Sequence, residues 1–207
     1  MSILEYEALR RAVLNTEPFD HIIATGAIAR EKVQEVGRDF PVLERPGSIP
    51  LGKLEYGPAF ARLIDDLKGP ELTRIVSEKF DIDLTGRPTM ITVRGWCRPR
   101  DGKIHTDSRR KLVTLLLYMN TGWESGGGRL RLLRSPGDIE DYGAEVPPDG
   151  ETLLIFKCTP NAWHGHKSFD GKRRTIQVNW VSDEKYLRWE QRRHGISTFF
   201  KRLGAAF

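Results

Sequence analysis

The triplet His105-Thr106-Asp107, with His164 farther along and the paired Arg173-Arg174 beyond it, carries residue types suited to metal chemistry. On an extended chain residues i and i+2 project to the same side, so His105 and Asp107 leave the backbone together while Thr106 faces away. His164 follows 164 − 105 = 59 residues later, after three predicted strands, a separation that lets an antiparallel sandwich return to the same place. Two imidazoles and a carboxylate can occupy one face of an octahedral ion and leave the opposite face open to exogenous ligands. The imidazoles favour a transition metal over calcium or magnesium; iron(II) fits best, and zinc or manganese could take the same ligands. A His-x-Asp triplet alone is common, and His164 and His166 beside Trp163 also read as ordinary surface or core histidines, so the metal reading rests on the conjunction.

An arginine on a buried strand is costly unless it meets an anion, and its guanidinium fork matches a carboxylate at two points. Alternation places Arg173, Thr175, Gln177 and Asn179 on one strand face and Arg174, Ile176, Val178 and Trp180 on the other. The first face is polar, as expected of a site, and the second resembles core. Arg94, Arg98 and Arg100 could line an entrance for an anionic substrate, although such arginines more often simply solvate a loop. His21 and His194 read as surface or capping residues, and His166 as a weaker rival to His164 for the metal. Gly126-Gly127-Gly128 lacks the Lys-Ser/Thr and helix of a phosphate cradle and reads as a tight turn or bulge.

The elements that must position these groups divide the chain in two. Ile3 to Leu14 and Ala27 to about Val36 have helical apolar spacing, with Gly37 expected as a left-handed stop; Ala59 to Leu67 and Glu71 to Phe80 read as helices opened by prolines. Phe40 to Pro58 is a proline-punctuated loop region. After Gly86-Arg87-Pro88 the period changes: 89–93, 112–118, 129–132, 152–156 and 174–180 are short β-rich runs separated by Gly, Pro and Asp clusters. Such runs predict a β-sandwich or jelly roll with the helices packed on one sheet. Ser182 or Asp183 can cap a further helix to about His194, and Ile196 to Leu203 a last amphipathic turn or two. The fold class is α+β, organised as residues 1–86 mainly helical support, 87–181 jelly-roll core and 182–207 C-terminal helical segment, within one domain over 1–207.

At 207 residues the chain has room for one sizeable core. Hydrophobic residues make up 39% and charged residues 29%, and no apolar run approaches the roughly 18 residues of a membrane span. Glu5 and Glu7 near the start argue against a signal or transit peptide, and two cysteines, Cys97 and Cys158, without CxxC spacing, read as reduced and buried. A cytoplasmic protein is expected. The net charge of +5 comes without any nucleic-acid-binding motif, and the basic segment Arg188 to Arg202 reads mainly as a solvated helix face.

Taken in order, Lys103-Ile104-His105-Thr106-Asp107, Leu115-Leu116-Leu117-Tyr118-Met119-Asn120, Gly126-Gly127-Gly128-Arg129-Leu130-Arg131-Leu132, Trp163-His164-Gly165-His166 and Arg173-Arg174-Thr175-Ile176-Gln177-Val178 resemble an iron(II)- and 2-oxoglutarate-dependent dioxygenase of the prolyl-hydroxylase-like superfamily. The resemblance covers about Thr89 to Val181 and implies a double-stranded β-helix core. It implies His105, Asp107 and His164 as the metal triad and catalytic centre. Tyr118, Arg173 and Thr175 would hold the distal carboxylate of 2-oxoglutarate, and Leu130 would wall the cosubstrate. The spacing 173 − 164 = 9 favours Arg173, with Arg174 as the alternative. Iron(II), 2-oxoglutarate and dioxygen, with ascorbate as reductant, would then hydroxylate an unactivated C–H bond and release succinate and carbon dioxide. Peptide-prolyl members carry a tyrosine on the strand before His-x-Asp, where this chain has Arg94-Gly95-Trp96-Cys97-Arg98, so the resemblance does not carry a prolyl substrate. The substrate is open among small molecule, glycan, lipid and protein, with Arg94 and Arg98 as candidate contacts. Self-association is equally open. The rival readings are a non-catalytic jelly-roll binding module with a structural metal, and a cupin-type zinc or manganese enzyme.

Overall fold

The computed structural model describes residues 2–43 and 45–188. Among them the chain runs α1 (Tyr6–Arg11), β1 (His21–Ala24), α2 (Arg30–Arg38), β2 (Ile49–Pro50), α3 (Pro58–Lys68), α4 (Pro70–Phe80), β3 (Thr89–Cys97), β4 (Lys111–Tyr118), β5 (Leu130–Leu133), β6 (Tyr142–Val146), β7 (Leu153–Lys157), β8 (His164–His166) and β9 (Gly171–Val181). One sheet has the order β1-β7-β4-β9-β3-β2 and a second the order β6-β5-β8. Every pairing is antiparallel. The sheets face each other as a jelly roll, and the helices cover the outer face of the larger one.

Strand alternation sorts the side chains between these layers. Val113, Leu115 and Leu117 of β4, Leu153 and Ile155 of β7, and Ile176, Val178 and Trp180 of β9 share one core with the helices. Tyr118 of β4 and Leu154 and Phe156 of β7 face inward, where they meet Leu130 and Leu132 of β5. Pro58 and Pro70 occupy the first helical turns of α3 and α4, where a missing N–H costs nothing because that donor has no intrahelical partner. From there Phe60, Leu63, Ile64 and Leu67 of α3 and Leu72, Ile75, Val76 and Phe80 of α4 recur at helical spacing and are buried.

Gly37 is not a left-handed stop: it lies inside α2, whose C-cap is Asp39. Arg174 donates from Nη1 to the Gly37 carbonyl at 3.0 Å, so a side chain from the sheet satisfies an orphan carbonyl that a left-handed turn would otherwise take. His21 is also not at the surface. It is buried in β1, opposite Phe156, with Nδ1 2.8 Å from the Phe19 carbonyl. Sequence patterning missed β1, β2, β6 and β8 because they are short and their stability comes from partners. In β6, for example, Glu145 accepts from Nε of the buried Arg131 at 2.6 Å. Asp183 accepts the Tyr186 N–H at 2.8 Å, a capping bond for the helix that begins at Glu184. The expected continuation to His194 and the segment Ile196 to Leu203 lie outside the described residues. Among the described residues no helix is long and apolar enough to cross a membrane.

Candidate active site

His105 and His164 face each other across a single antiparallel bridge. The His105 N–H donates to the His164 carbonyl at 3.0 Å, and the His164 N–H to the His105 carbonyl at 2.9 Å. The strand expected at His105 is therefore one bridged residue followed by irregular chain. Gly165 permits this closeness, since a Cβ there would stand 2.9 Å from the Gly102 carbonyl oxygen and 3.2 Å from the Ile104 backbone. Nδ1 of His105 lies 2.8 Å from the Lys103 carbonyl and Nδ1 of His164 3.0 Å from that of Ala162. A carbonyl only accepts, so each Nδ1 carries the proton and each Nε2 presents a lone pair.

The candidate ligand atoms of His105, Asp107 and His164 all lie within 4.8 Å of one another. His164 is buried and His105 exposed, so an ion held there would sit at the mouth of the roll. Lys111 donates from Nζ to Asp107 Oδ1 at 2.7 Å, and Thr114 from its hydroxyl to Oδ2 at 2.5 Å. Each carboxylate oxygen retains a lone pair beyond these bonds. Burial alone would raise the Asp107 carboxyl, but Lys111, His164 and the two hydrogen bonds outweigh it and hold the group below its usual range. Burial, reinforced by neighbouring His105, pushes His164 down to about 4, against the pull of Asp107. At neutral pH the site therefore combines an ionised carboxylate with a neutral buried imidazole, the forms a metal needs. Cys158, 3.2 Å from the Thr114 hydroxyl, is pushed up to about 12 by burial and then by Asp107, so it stays a thiol.

Behind the triad lies a cavity of about 140 Å³, walled by Leu116, Leu130 and Phe156 and by Thr175 and Arg173. Arg173 is buried, and no carboxylate among the described residues pairs with it. Its Nε donates to the Gly128 carbonyl at 2.8 Å and its Nη1 to Thr175 Oγ1 at 3.4 Å, while Nη2 has no partner. The guanidinium carbon lies 5.2 Å from the Tyr118 ring centroid, and the Tyr118 hydroxyl, fully buried, also lacks a partner. Burial raises that phenol, with Arg173 opposing. Two unpartnered donors, one on a buried cation, fit a carboxylate arriving from the cavity. The three-glycine turn contributes here: Gly128, at φ +74°, supplies the carbonyl that aims Arg173.

The remaining candidate residues have partners of their own. Arg174 faces the helices, stacked 4.9 Å from the Phe40 ring centroid, because it lies on the opposite face of β9 from Arg173. Arg94 lines the cavity but donates to Asp101 at 3.0 Å, and Arg98 reaches the same carboxylate at 3.1 Å outside the cavity wall. Both are thus already matched by an anion. His166 enters the wall two residues after His164, with its Nδ1 on the Lys167 carbonyl. Burial and then Arg173 push it down to about 4. Sequence reasoning missed Lys111 and Thr114; the one signal was a lone threonine amid the apolar run of β4.

No curated protein matches this sequence. The fold is similar to that of a Pseudomonas putida prolyl-4-hydroxylase, at 15% identity and TM-score 0.54, covering 79% of this chain and 92% of that one. It is also similar to a viral collagen prolyl hydroxylase from Paramecium Bursaria Chlorella virus-1, solved as its 2OG complex, at 14% identity and TM-score 0.52, covering 78% of this chain and 96% of that one. At such identities the likeness speaks to the fold. Residues 97–182 match the family model described as the 2OG-Fe(II) oxygenase superfamily. That match spans β4 to β9, and over this stretch the chain is similar to the 2OG-Fe(II) oxygenase superfamily.

Proposed function

We propose that His105, Asp107 and His164 hold the iron(II), that Arg173, Tyr118 and Thr175 hold the distal carboxylate of 2-oxoglutarate with Leu130 along its flank, and that the enzyme hydroxylates an unactivated C–H bond. The observation that carries this reading is the buried, carboxylate-free Arg173 in the wall of a cavity that the triad also lines, its Nη2 unpartnered and the equally unpartnered Tyr118 hydroxyl on the ring beside it. A merely structural metal would need no such anion site, and the donor set includes only two histidines where cupin-type sites commonly use more.

Iron(II) with 2-oxoglutarate supplies the oxidising chemistry and releases succinate and carbon dioxide. This chain's own residues orient and exclude. Lys103 and Ala162 lock both imidazoles through their Nδ1–H groups, leaving Nε2 for the metal. Lys111 and Thr114 hold the plane of Asp107. Arg173, aimed by Gly128, sets how deep the cosubstrate lies, and Leu116, Leu130 and Phe156 keep water from it. A cytoplasmic setting with ascorbate as reductant belongs to the same proposal, supported by Cys97 and Cys158 both being free thiols.

Succinate formation from 2-oxoglutarate with iron(II) and ascorbate, without any second substrate, tests the assignment. Wild type should turn over slowly, and Asp107→Ala and His105→Ala should fall to background while remaining folded by circular dichroism. Normal turnover by Asp107→Ala would remove the triad from the centre of the reaction.

A further inference from the structure

A second chamber of about 270 Å³ adjoins the inner cavity and shares Ser48, Thr92, His105, Asp107 and Gln177 with it. Its floor is formed by β3 and β9, where Thr92 pairs with Gln177 and Met90 with Asn179. Asn179 is buried to 1% exposure, and its Nδ2 donates to Thr114 Oγ1 at 2.7 Å. The orientation of that amide is not free. Thr114 commits its one hydroxyl proton to the Asp107 carboxylate at 2.5 Å, so it can only accept from Asn179, and Oδ1 is turned to the other side. There Oδ1 has no donor. Beside it, Gln177 and Thr92 make no side-chain hydrogen bond among the described residues. On another wall of the chamber Lys111 pairs with Asp107 at 2.7 Å.

Resting on the iron and 2-oxoglutarate assignment above, we propose that this chamber is the prime-substrate subsite and that Thr92, Gln177 and Asn179 select a compact, uncharged molecule rich in hydroxyl or primary amide groups. A buried acceptor left unmade carries a desolvation cost that a substrate O–H or N–H removes, and a carboxamide next to a hydroxyl reads a group that both donates and accepts. A prolyl ring or a hydrocarbon offers no donor to Oδ1 and would leave all three polar groups unpaired. Thr92, Gln177 and Asn179 are themselves uncharged and offer an ionised group no partner of opposite charge.

The test uses the full chain with iron(II), 2-oxoglutarate and ascorbate, measuring succinate above the substrate-free background. One pool contains methyl glycosides, myo-inositol, lactamide and propionamide; the other contains poly-L-proline and cyclohexane. The first pool should raise succinate formation at least fivefold. For its active member, Gln177→Leu should raise KM at least tenfold, with a smaller change in kcat, and the near-isosteric Thr92→Val should move KM in the same direction. Stronger stimulation by the second pool, stimulation by neither, or an unmoved KM in both variants overturns the inference. A missing substrate-free background would instead strike down the iron and 2-oxoglutarate assignment itself, and the subsite with it.

Discussion

Tyr118→Phe should move two measurable quantities in opposite directions. The phenolic oxygen is fully buried and without a partner, and leaving a buried polar group unsatisfied costs about 1–3 kcal/mol. Removing it should stabilise the protein without metal or cosubstrate by up to that amount, less a small loss for the void. At about 2–4 °C per kcal/mol for a chain of this size, Tm should rise by roughly 2–10 °C. Binding 2-oxoglutarate has the reverse sign. A hydrogen bond to a charged carboxylate contributes about 1.5–3 kcal/mol, so its loss should raise the 2-oxoglutarate KM roughly ten- to a hundredfold. Differential scanning fluorimetry of the metal-free protein gives the first quantity, and succinate formation against 2-oxoglutarate concentration gives the second. A variant that melts lower and keeps its normal 2-oxoglutarate requirement would refute the argument, for the hydroxyl would then be serving the core rather than the ligand.

Arg173→Ala should raise the 2-oxoglutarate KM at least a hundredfold, whereas Arg174→Ala should lower Tm through the lost Gly37 bond and Phe40 stacking with KM within twofold; the reverse pattern in a 2-oxoglutarate titration would move the anchor to Arg174. Gly165→Ala places a Cβ 2.9 Å from the Gly102 carbonyl, which should separate His164 from His105 and weaken binding of Mn(II), used as an iron(II) surrogate, at least tenfold by calorimetry; unchanged binding would show that the bridge tolerates the methyl. On acidification the unfolded chain protonates its histidines near 6.5, but His164 and His166 stay neutral in the folded state down to about 4. The unfolded state therefore binds more protons in that window, so stability is complete above pH 6.5 and falls towards pH 4, with a slope approaching ~2.7 kcal/mol per pH unit for two such groups. Urea melts of the metal-free protein across pH 4–7 would read this, and a flat profile would contradict the burial of both rings.

What the linear order of residues determined here was periodic and local. The change from helical to alternating spacing after Pro88 marked the support and the roll, Pro58 and Pro70 marked the openings of α3 and α4, and parity on β9 divided Arg173, Thr175 and Gln177 from Arg174. These depend on backbone geometry, which repeats every two or 3.6 residues wherever the chain lies. Tertiary structure decided what depends on neighbours distant in the chain. Asp101 claims Arg94 and Arg98; Arg174 caps α2 where Gly37 was expected to end it; β8 exists because β5 and residue 105 pair with it. It also left Tyr118 Oη, Arg173 Nη2 and Asn179 Oδ1 buried without partners. Whether a polar atom has its hydrogen bond is settled only when the chain closes around it, so no local pattern in the sequence could mark these three atoms as unmet.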